Sequence, residues 1–258
     1  VDADNIDPNR NFLSPGEAYA GSPETYRYFN TLLNPERPMS WRDVLFPLRA
    51  YLGVMRHGLP ALKQALVGGQ YDFPKGLFFG GHGPSRVQAV LAEQTRGWVG
   101  PAGAVVHLDF HTGLGPWGTY KLLLDTPMNP AHRGRLDRWF GRGTWEEDDP
   151  RGLSYLPRGG YGPWCMAQDF APDYLFAVAE FGTYGGITML TGLRAENQAH
   201  HWGRPDDPGT VRAKARLREL FVPASPAWRA KVLTQGLELV EQALGAAAAA
   251  PVLARGPR

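Results

Sequence analysis

Residues 106–115 narrow the range of possible folds most sharply. They read V-H-L-D-F-H-T-G-L-G, an apolar run that ends in Asp109 and His111 and then passes directly into glycine. Such a run is typical of a buried strand whose end carries side chains to the rim of a sheet, where open α/β folds bind ligands. An imidazole at that rim is a natural metal ligand, which a nearby carboxylate could orient. The histidine could equally serve only to anchor the loop by a hydrogen bond.

Other apolar runs alternate with helical patterns along the chain. Residues 104–109 are expected to form the central strand, with further strands at 120–124 and 175–180. Helices are predicted at 41–66, 84–96, 130–140 and 186–201, and a last helix begins at Ser225-Pro226. In that helix a stripe at helical spacing should face the core or a partner: Leu233, Leu237, Val240 and Leu244. Strands separated by helices indicate an α/β fold.

Composition excludes several classes of protein. The chain has 258 residues, of which 43% are hydrophobic and 20% charged, the balance of a globular domain with a sizeable core. Its net charge is +2, and because its arginines are dispersed and no apolar run reaches the length of a membrane span, we expect neither a nucleic-acid nor a membrane partner. Cys165 is the single cysteine, and its apolar surroundings make it a poor nucleophile. The default expectation is a cytoplasmic location, which a signal in an upstream segment would change.

Three ordered motifs carry a family resemblance. They are N-x-D-x-N-R-N-F at residues 5–12, D-F-H-T-G-L-G at 109–115 and A-E-F-G-T at 179–183. In this order they resemble the zinc carboxypeptidase family, most closely its bacterial branch of poorly characterised members. The segments at 69–81 and 193–197 also resemble that branch.

The resemblance implies an architecture. It predicts an α/β three-layer sandwich in which helices flank a mixed, mostly parallel, twisted sheet. We treat residues 1–258 as one domain, the C-terminal portion of a zinc carboxypeptidase-like catalytic domain. The first strands of the family's sheet would then belong to a segment upstream of this sequence.

The resemblance also assigns a role to four residues. It implies that Asn9 and Arg10 hold the free carboxylate of the substrate, a task that suits a planar guanidinium because it can give two parallel hydrogen bonds. It implies that His111 is a ligand of Zn2+, and that Glu180 is the general base that takes a proton from a zinc-bound water and passes it to the leaving amine. Judged from the residues alone, Arg10 could instead form a surface ion pair, and Glu180 could cap a helix.

The chain departs from the family pattern at the zinc site. The family's other two zinc ligands lie in an H-x-x-E motif upstream of the Asn-Arg pair, and none of the seven histidines here is followed by glutamate three residues later. Because catalytic zinc normally takes three protein ligands, an upstream segment or another chain would have to complete the site. The family's substrate-facing tyrosine also lacks a motif here, and Tyr155 and Tyr161 are the candidates.

Two functions therefore remain open. The first is a zinc-dependent hydrolase of a peptide or amide bond next to a free carboxylate, acting on a peptide or an acylated amino acid. The second is a metal-free carboxylate-binding protein derived from such an enzyme. The presence of His111 and Glu180 favours the first, whereas the missing H-x-x-E motif favours the second for this chain alone.

Overall fold

A computed structural model describes residues 1–58, 68–126, 128, 130–147 and 158–249. Within these ranges four strands form one sheet: β1 (Ala104–Gly113), β2 (Tyr120–Leu124), β3 (Trp145–Glu147) and β4 (Asp173–Gly182). Their order is β1-β4-β2-β3. Strand β4 is parallel to β1 and antiparallel to β2, and β2 is parallel to β3. The predicted mixed, mostly parallel α/β sheet is confirmed.

The described residues also contain eight α-helices. These are α1 (Glu24–Leu33), α2 (Phe46–His57), α3 (Arg86–Val99), α4 (Pro130–Phe140), α5 (Tyr161–Ala167), α6 (Gly186–Trp202), α7 (Pro208–Phe221) and α8 (Pro226–Ala249). Two short 3-10 helices, Pro8–Arg10 and Trp41–Leu45, accompany them. None of the helices in the described ranges is both long enough and apolar enough to cross a membrane.

Each face of the sheet is covered by its own apolar cluster. On one face, β2 and β4 pack against α4 and α8 through residues that include Leu136 and Leu239, both of which are fully buried. On the other face, β4 packs against α5 through Trp164 and Phe176, with Leu91 of α3 alongside. Side chains alternate along a strand, so successive residues of β4 supply opposite clusters: Leu175, Ala177 and Ala179 on one face, and Tyr174, Phe176 and Val178 on the other. The sheet with helices on both faces makes three layers.

Several elements differ from the sequence prediction. Strand β1 runs on to Gly113 and lies at an edge of the described sheet, where the sequence predicted a central strand. The region 141–172, predicted as a loop, contains β3 and α5. The helix predicted over 41–66 begins as a 3-10 turn and continues as α2, and residues 59–67 lie outside the described ranges.

The sequence analysis did not predict two of the helices, α1 and α7. Helix α1 lies in a segment rich in proline, and its N-cap is Pro23, which makes no side-chain capping hydrogen bond. Helix α7 does carry a start signal, because the side chain of Asp207 accepts hydrogen bonds from the backbone N–H groups of Gly209 and Thr210, with Pro208 in the first turn.

The apolar stripe of α8 does not face the core. The exposed fractions of its four residues are 67%, 64%, 40% and 66% for Leu233, Leu237, Val240 and Leu244. A second stripe on the same helix packs against the sheet instead: Val232, Leu239 and Ala243. The helix is apolar on two sides, so spacing alone could not say which side is buried.

Candidate active site

All four predicted site residues lie around one pocket. Asn9, Arg10, His111 and Glu180 contribute to its wall, which we call the His111 pocket. The rest of the wall is formed by Asp109, Leu123, Asp125, Gly160, Tyr161, Gly162 and Val178. The fold thus brings together three motifs that are far apart in the sequence.

The pairing of β1 with β4 places His111 beside Glu180. In their parallel register His111 lies opposite Glu180, and Asp109 lies opposite Val178. Because alternate residues of a strand share a face, Asp109 and His111 point to the same side of the sheet. The alternation of side chains and the strand register therefore place the carboxylate of Asp109, the imidazole of His111 and the carboxylate of Glu180 in one pocket.

The His111 ring is held by Asp109. Its Nε2 lies 2.9 Å from Oδ2 of Asp109, which accepts the hydrogen bond, and its Nδ1 lies 4.0 Å from Oε2 of Glu180, beyond hydrogen-bond distance. Burial lowers the pKa of His111, but the hydrogen bond and charge of Asp109, with the charges of Glu180 and Asp125, outweigh burial and raise it above the ordinary value. A carboxylate on one ring nitrogen fixes the ring orientation and directs the other nitrogen toward the pocket, the arrangement usual for metal-ligating histidines.

Glu180 is a buried carboxyl group with a specific backbone contact. Only 8% of the residue is exposed, and its Oε1 accepts a hydrogen bond of 2.8 Å from the backbone N–H of Leu114. Burial raises the pKa of Glu180, while the Leu114 hydrogen bond and the charge of His111 oppose that rise. A carboxyl group whose pKa is raised by burial is better suited to exchanging protons with a substrate or a water. Within the described residues Glu180 caps no helix, since its bonded partner Leu114 follows β1 and the N-cap of α6 is Gly185.

Gly113 leaves room for this contact. Its φ is +154°, and a Cβ at this position would lie 3.3 Å from Oε1 of Glu180. The loop is also tied to the end of β4, because the hydroxyl of Thr183 donates to the Gly113 carbonyl at 2.9 Å. The glycine and threonine of the second and third motifs therefore hold the carboxyl group of Glu180 in place.

Arg10 is buried against the wall of the pocket. It is 3% exposed, its Nη1 donates to the carbonyl of Asn9 at 2.7 Å, and its guanidinium carbon lies 5.6 Å from the ring centre of Phe78. A Cβ at Gly69 would lie 2.7 Å from Cδ of Arg10, so this glycine leaves room for the arginine. The hydroxyl of Tyr71 donates to the Arg10 carbonyl at 2.7 Å. Arg10 is therefore a buried residue and not the exposed one that a surface ion pair requires.

Asp125 is a pocket residue that the sequence prediction missed. It directly follows β2 and is half-buried, and Oδ2 of its carboxylate would lie 3.4 Å from a Cβ at Gly162. A carboxylate immediately after an apolar strand is the same signal that marked Glu180, but here no motif accompanied it.

Tyr161 is both a wall residue of the His111 pocket and a partly buried member of the aromatic cluster on this face of the sheet. Its ring centre lies 4.7 Å from that of Phe12 and 5.7 Å from that of Phe176. Burial and the neighbouring Cys165 raise its pKa, and its hydroxyl is hydrogen-bonded to Cys165. Burial likewise raises the pKa of the Cys165 thiol to about 11, which leaves it protonated at neutral pH. The other candidate, Tyr155, lies outside the described residues.

The donor set of the described residues falls short of a zinc site. No group of three histidine, cysteine, aspartate or glutamate side chains in that part of the chain is arranged to hold a metal ion. His111 offers one ring nitrogen. The carboxylate of Asp109 is hydrogen-bonded to the His111 ring, and that of Glu180 accepts a hydrogen bond from the Leu114 amide. One nitrogen is not enough for a catalytic zinc, which normally takes three protein ligands.

Comparison with known proteins identifies the family. Residues 1–235 match the model of the family described as "Protein of unknown function (DUF2817)", and the chain belongs to this family. No curated protein and no solved structure matches the chain. The family assignment covers all the residues of the His111 pocket.

Proposed function

We propose that this member of the DUF2817 family is a zinc-dependent hydrolase, which cleaves a peptide or amide bond next to a free carboxylate. The observation that carries the proposal is the convergence of Arg10, His111 and Glu180 on one pocket. Its substrate would be a peptide or an acylated amino acid. Because His111 is a single ligand, the proposal requires further zinc ligands from outside the described residues or from another chain.

Asn9 and Arg10 would recognise the free carboxylate of the substrate. Arg10 is nearly fully buried, so a carboxylate that reaches it leaves water and forms charge-assisted hydrogen bonds in surroundings of low polarity. Such bonds are worth roughly 1.5–3 kcal/mol, more than an exposed ion pair provides. Selection for a free carboxylate follows from this burial.

Glu180 would move the proton. Its Oε1 is held by the Leu114 amide, so Oε2, which faces His111, is the oxygen placed to accept a proton from the attacking water. The raised pKa of Glu180 suits this role, because the group can take up that proton and then return it to the leaving amine. A zinc ion bound at His111 would supply Lewis-acid chemistry at the same place.

The carboxylate assignment can be tested by calorimetric titration of the chain with a peptide that has a free C-terminus and with its amidated twin. We expect the free acid to bind at least about tenfold tighter, equivalent to about 1.4 kcal/mol. Arg10→Ala should close that gap, and Arg10→Lys should restore only part of it, since an ammonium group lacks the planar fork.

The control is Arg27→Ala, which removes an exposed arginine that pairs with Asp72 and is no part of the His111 pocket. It should leave the tenfold preference intact. Equal affinity of the wild-type chain for the acid and the amide would show that the pocket does not recognise a carboxylate, and the proposal would fail.

A metal-free carboxylate-binding protein is the second candidate. It is favoured by the lack of a three-ligand group among the described side chains. Both candidates predict substoichiometric zinc in this chain as purified, because one histidine cannot retain the ion. The two candidates differ once the missing zinc ligands are supplied. The hydrolase should then bind about one zinc per chain, and His111→Ala should lose it. Elemental analysis after dialysis against a chelator measures both.

A further inference from the structure

A second cavity lies on the other side of Glu180. We call it the Lys121 cavity, and its wall consists of Leu114, Gly115, Pro116, Thr119, Tyr120, Lys121 and Glu180. Its volume is about 200 Å³, whereas one water requires roughly 10–15 Å³. The cavity therefore has room for a group the size of a side chain, and the function proposed above gives it no role.

The carboxyl group of Glu180 divides the two cavities. Its Oε1 accepts from the amide of Leu114, a residue of the Lys121 cavity, and its Oε2 faces Nδ1 of His111 in the His111 pocket. A base that serves a hydrolytic reaction lies beside the bond to be broken. The two parts of a substrate, one on each side of that bond, would then extend into different cavities.

Lys121 gives the second cavity a positive charge. It lies opposite Glu180 in the antiparallel register of β2 and β4, so the two side chains emerge on the same face of the sheet. Its Nζ donates to the carbonyl of Gly143 at 2.7 Å, which leaves two further N–H donors on the ammonium group. Among the residues of this cavity wall, Lys121 and Glu180 are the charged ones, and the remainder are apolar or neutral.

We propose that the Lys121 cavity is a binding subsite for the acyl side of the substrate, and that Lys121 selects an acidic group there. This inference rests on the proposed function, because Glu180 marks the bond to be broken. The preferred substrate class is then a peptide or acylated amino acid with two carboxylates, one bound by Arg10 and the other by Lys121. Lys121 as a whole is half-buried, and the apolar parts of Leu114, Pro116 and Tyr120 beside it strengthen an ion pair formed in the cavity.

The experiment compares two ligands that differ only in this charge. The probes are acetyl-Glu-Leu and its neutral isostere acetyl-Gln-Leu, both with a free C-terminal carboxylate, titrated into the full chain by calorimetry. We expect the acidic ligand to bind about fivefold tighter to the wild type, the range of a partly exposed ion pair. In Lys121→Gln the two ligands should bind equally, because glutamine keeps an N–H donor for the Gly143 carbonyl but lacks the charge.

Lys231→Gln is the matched control. The Lys231 side chain lies near Gly118, where an added Cβ would be 3.1 Å from its Cδ, but it is no part of the cavity wall. The variant removes the same charge and should leave the fivefold preference unchanged. Circular dichroism of both variants would show that neither change unfolds the chain.

The outcomes separate this inference from the proposed function. If both ligands bind equally to the wild type and both lose affinity in Arg10→Ala, the acidic subsite is refuted while carboxylate recognition stands. If the acidic ligand keeps its advantage in Lys121→Gln, the acid is recognised elsewhere and the inference is wrong. If neither ligand depends on Arg10, both the subsite and the proposed function fail.

Discussion

Strand β4 carries a buried carboxyl group near each end, and the two behave in opposite ways. Asp173 at its start is 7% exposed, and Glu180 near its end is 8% exposed. Asp173 accepts two hydrogen bonds from the guanidinium of Arg135, and this partner lowers its pKa. Among the described residues, Glu180 accepts a hydrogen bond from one amide and lies 4.0 Å from an imidazole, so burial prevails and its pKa is raised.

The comparison shows that burial alone does not decide what a carboxylate does. Two hydrogen bonds from the guanidinium of Arg135 keep Asp173 ionised and join α4 to β4, so that end of the strand is structural. On the two neighbouring strands Glu180 faces no guanidinium: His111 of β1 and Lys121 of β2 lie opposite it. It is therefore the carboxyl group that can change its protonation state.

The largest expected effect is on stability, at the structural end of the strand. Asp173→Asn leaves the buried guanidinium of Arg135 without its counter-charge, and we expect a loss of about 3–5 kcal/mol in the free energy of unfolding. Urea denaturation monitored by tryptophan fluorescence measures it. An unchanged midpoint would show that the ion pair contributes little and that the two ends of β4 are alike.

Glu180→Gln is the matched comparison at the other end. Glutamine keeps an acceptor for the Leu114 amide and avoids the cost of a buried charge, so the free energy of unfolding should stay within about 1 kcal/mol of the wild type. A loss as large as that of Asp173→Asn would mean that Glu180 is also a structural anchor. The assignment of Glu180 as the proton-transfer group would then have no support from this comparison.

A smaller effect concerns pH. The pKa of Asp173 is lowered in the folded chain, so its ion pair contributes stability above the pKa of the unfolded carboxyl, about 3.9. As the pH falls below that value toward the folded pKa, the unfolded chain takes up a proton that the folded chain does not, and the contribution is lost. The stability difference between wild type and Asp173→Asn, measured by denaturation from pH 6 down to pH 3, should therefore shrink. A constant difference would contradict the ion-pair account.

The site was easier to predict from the sequence than the structural end of the strand. His111 and Glu180 each lie at the end of an apolar run and within a recognised motif. Their place at the rim of the sheet could therefore be predicted from the local sequence. The pair Arg135 and Asp173 joins a helix to a strand across 38 residues, and neither residue has a local pattern that announces the other. Long-range pairing of this kind depends on how the layers pack, which periodicity does not encode.

The edge position of β1, and which apolar side of α8 faces the core, could not be predicted for a related reason. Periodicity shows that Leu237 and Leu239 lie on different sides of a helix, but both sides are apolar. Which side meets the sheet is decided by the neighbouring layers. The structure buries Leu239 fully and leaves Leu237 64% exposed.

The central claim is that the three motifs build one pocket in which a free carboxylate lies next to His111. The most direct measurement is the ¹⁵N chemical shifts of the histidine side chains by NMR, recorded while a peptide with a free C-terminus is added. The account predicts that the His111 ring resonances move with the free acid and much less with its amide, that Arg10→Ala abolishes the difference, and that His82, which is no part of the pocket, stays unchanged. If the free acid binds and the His111 resonances do not move, the carboxylate is bound elsewhere and the account is wrong.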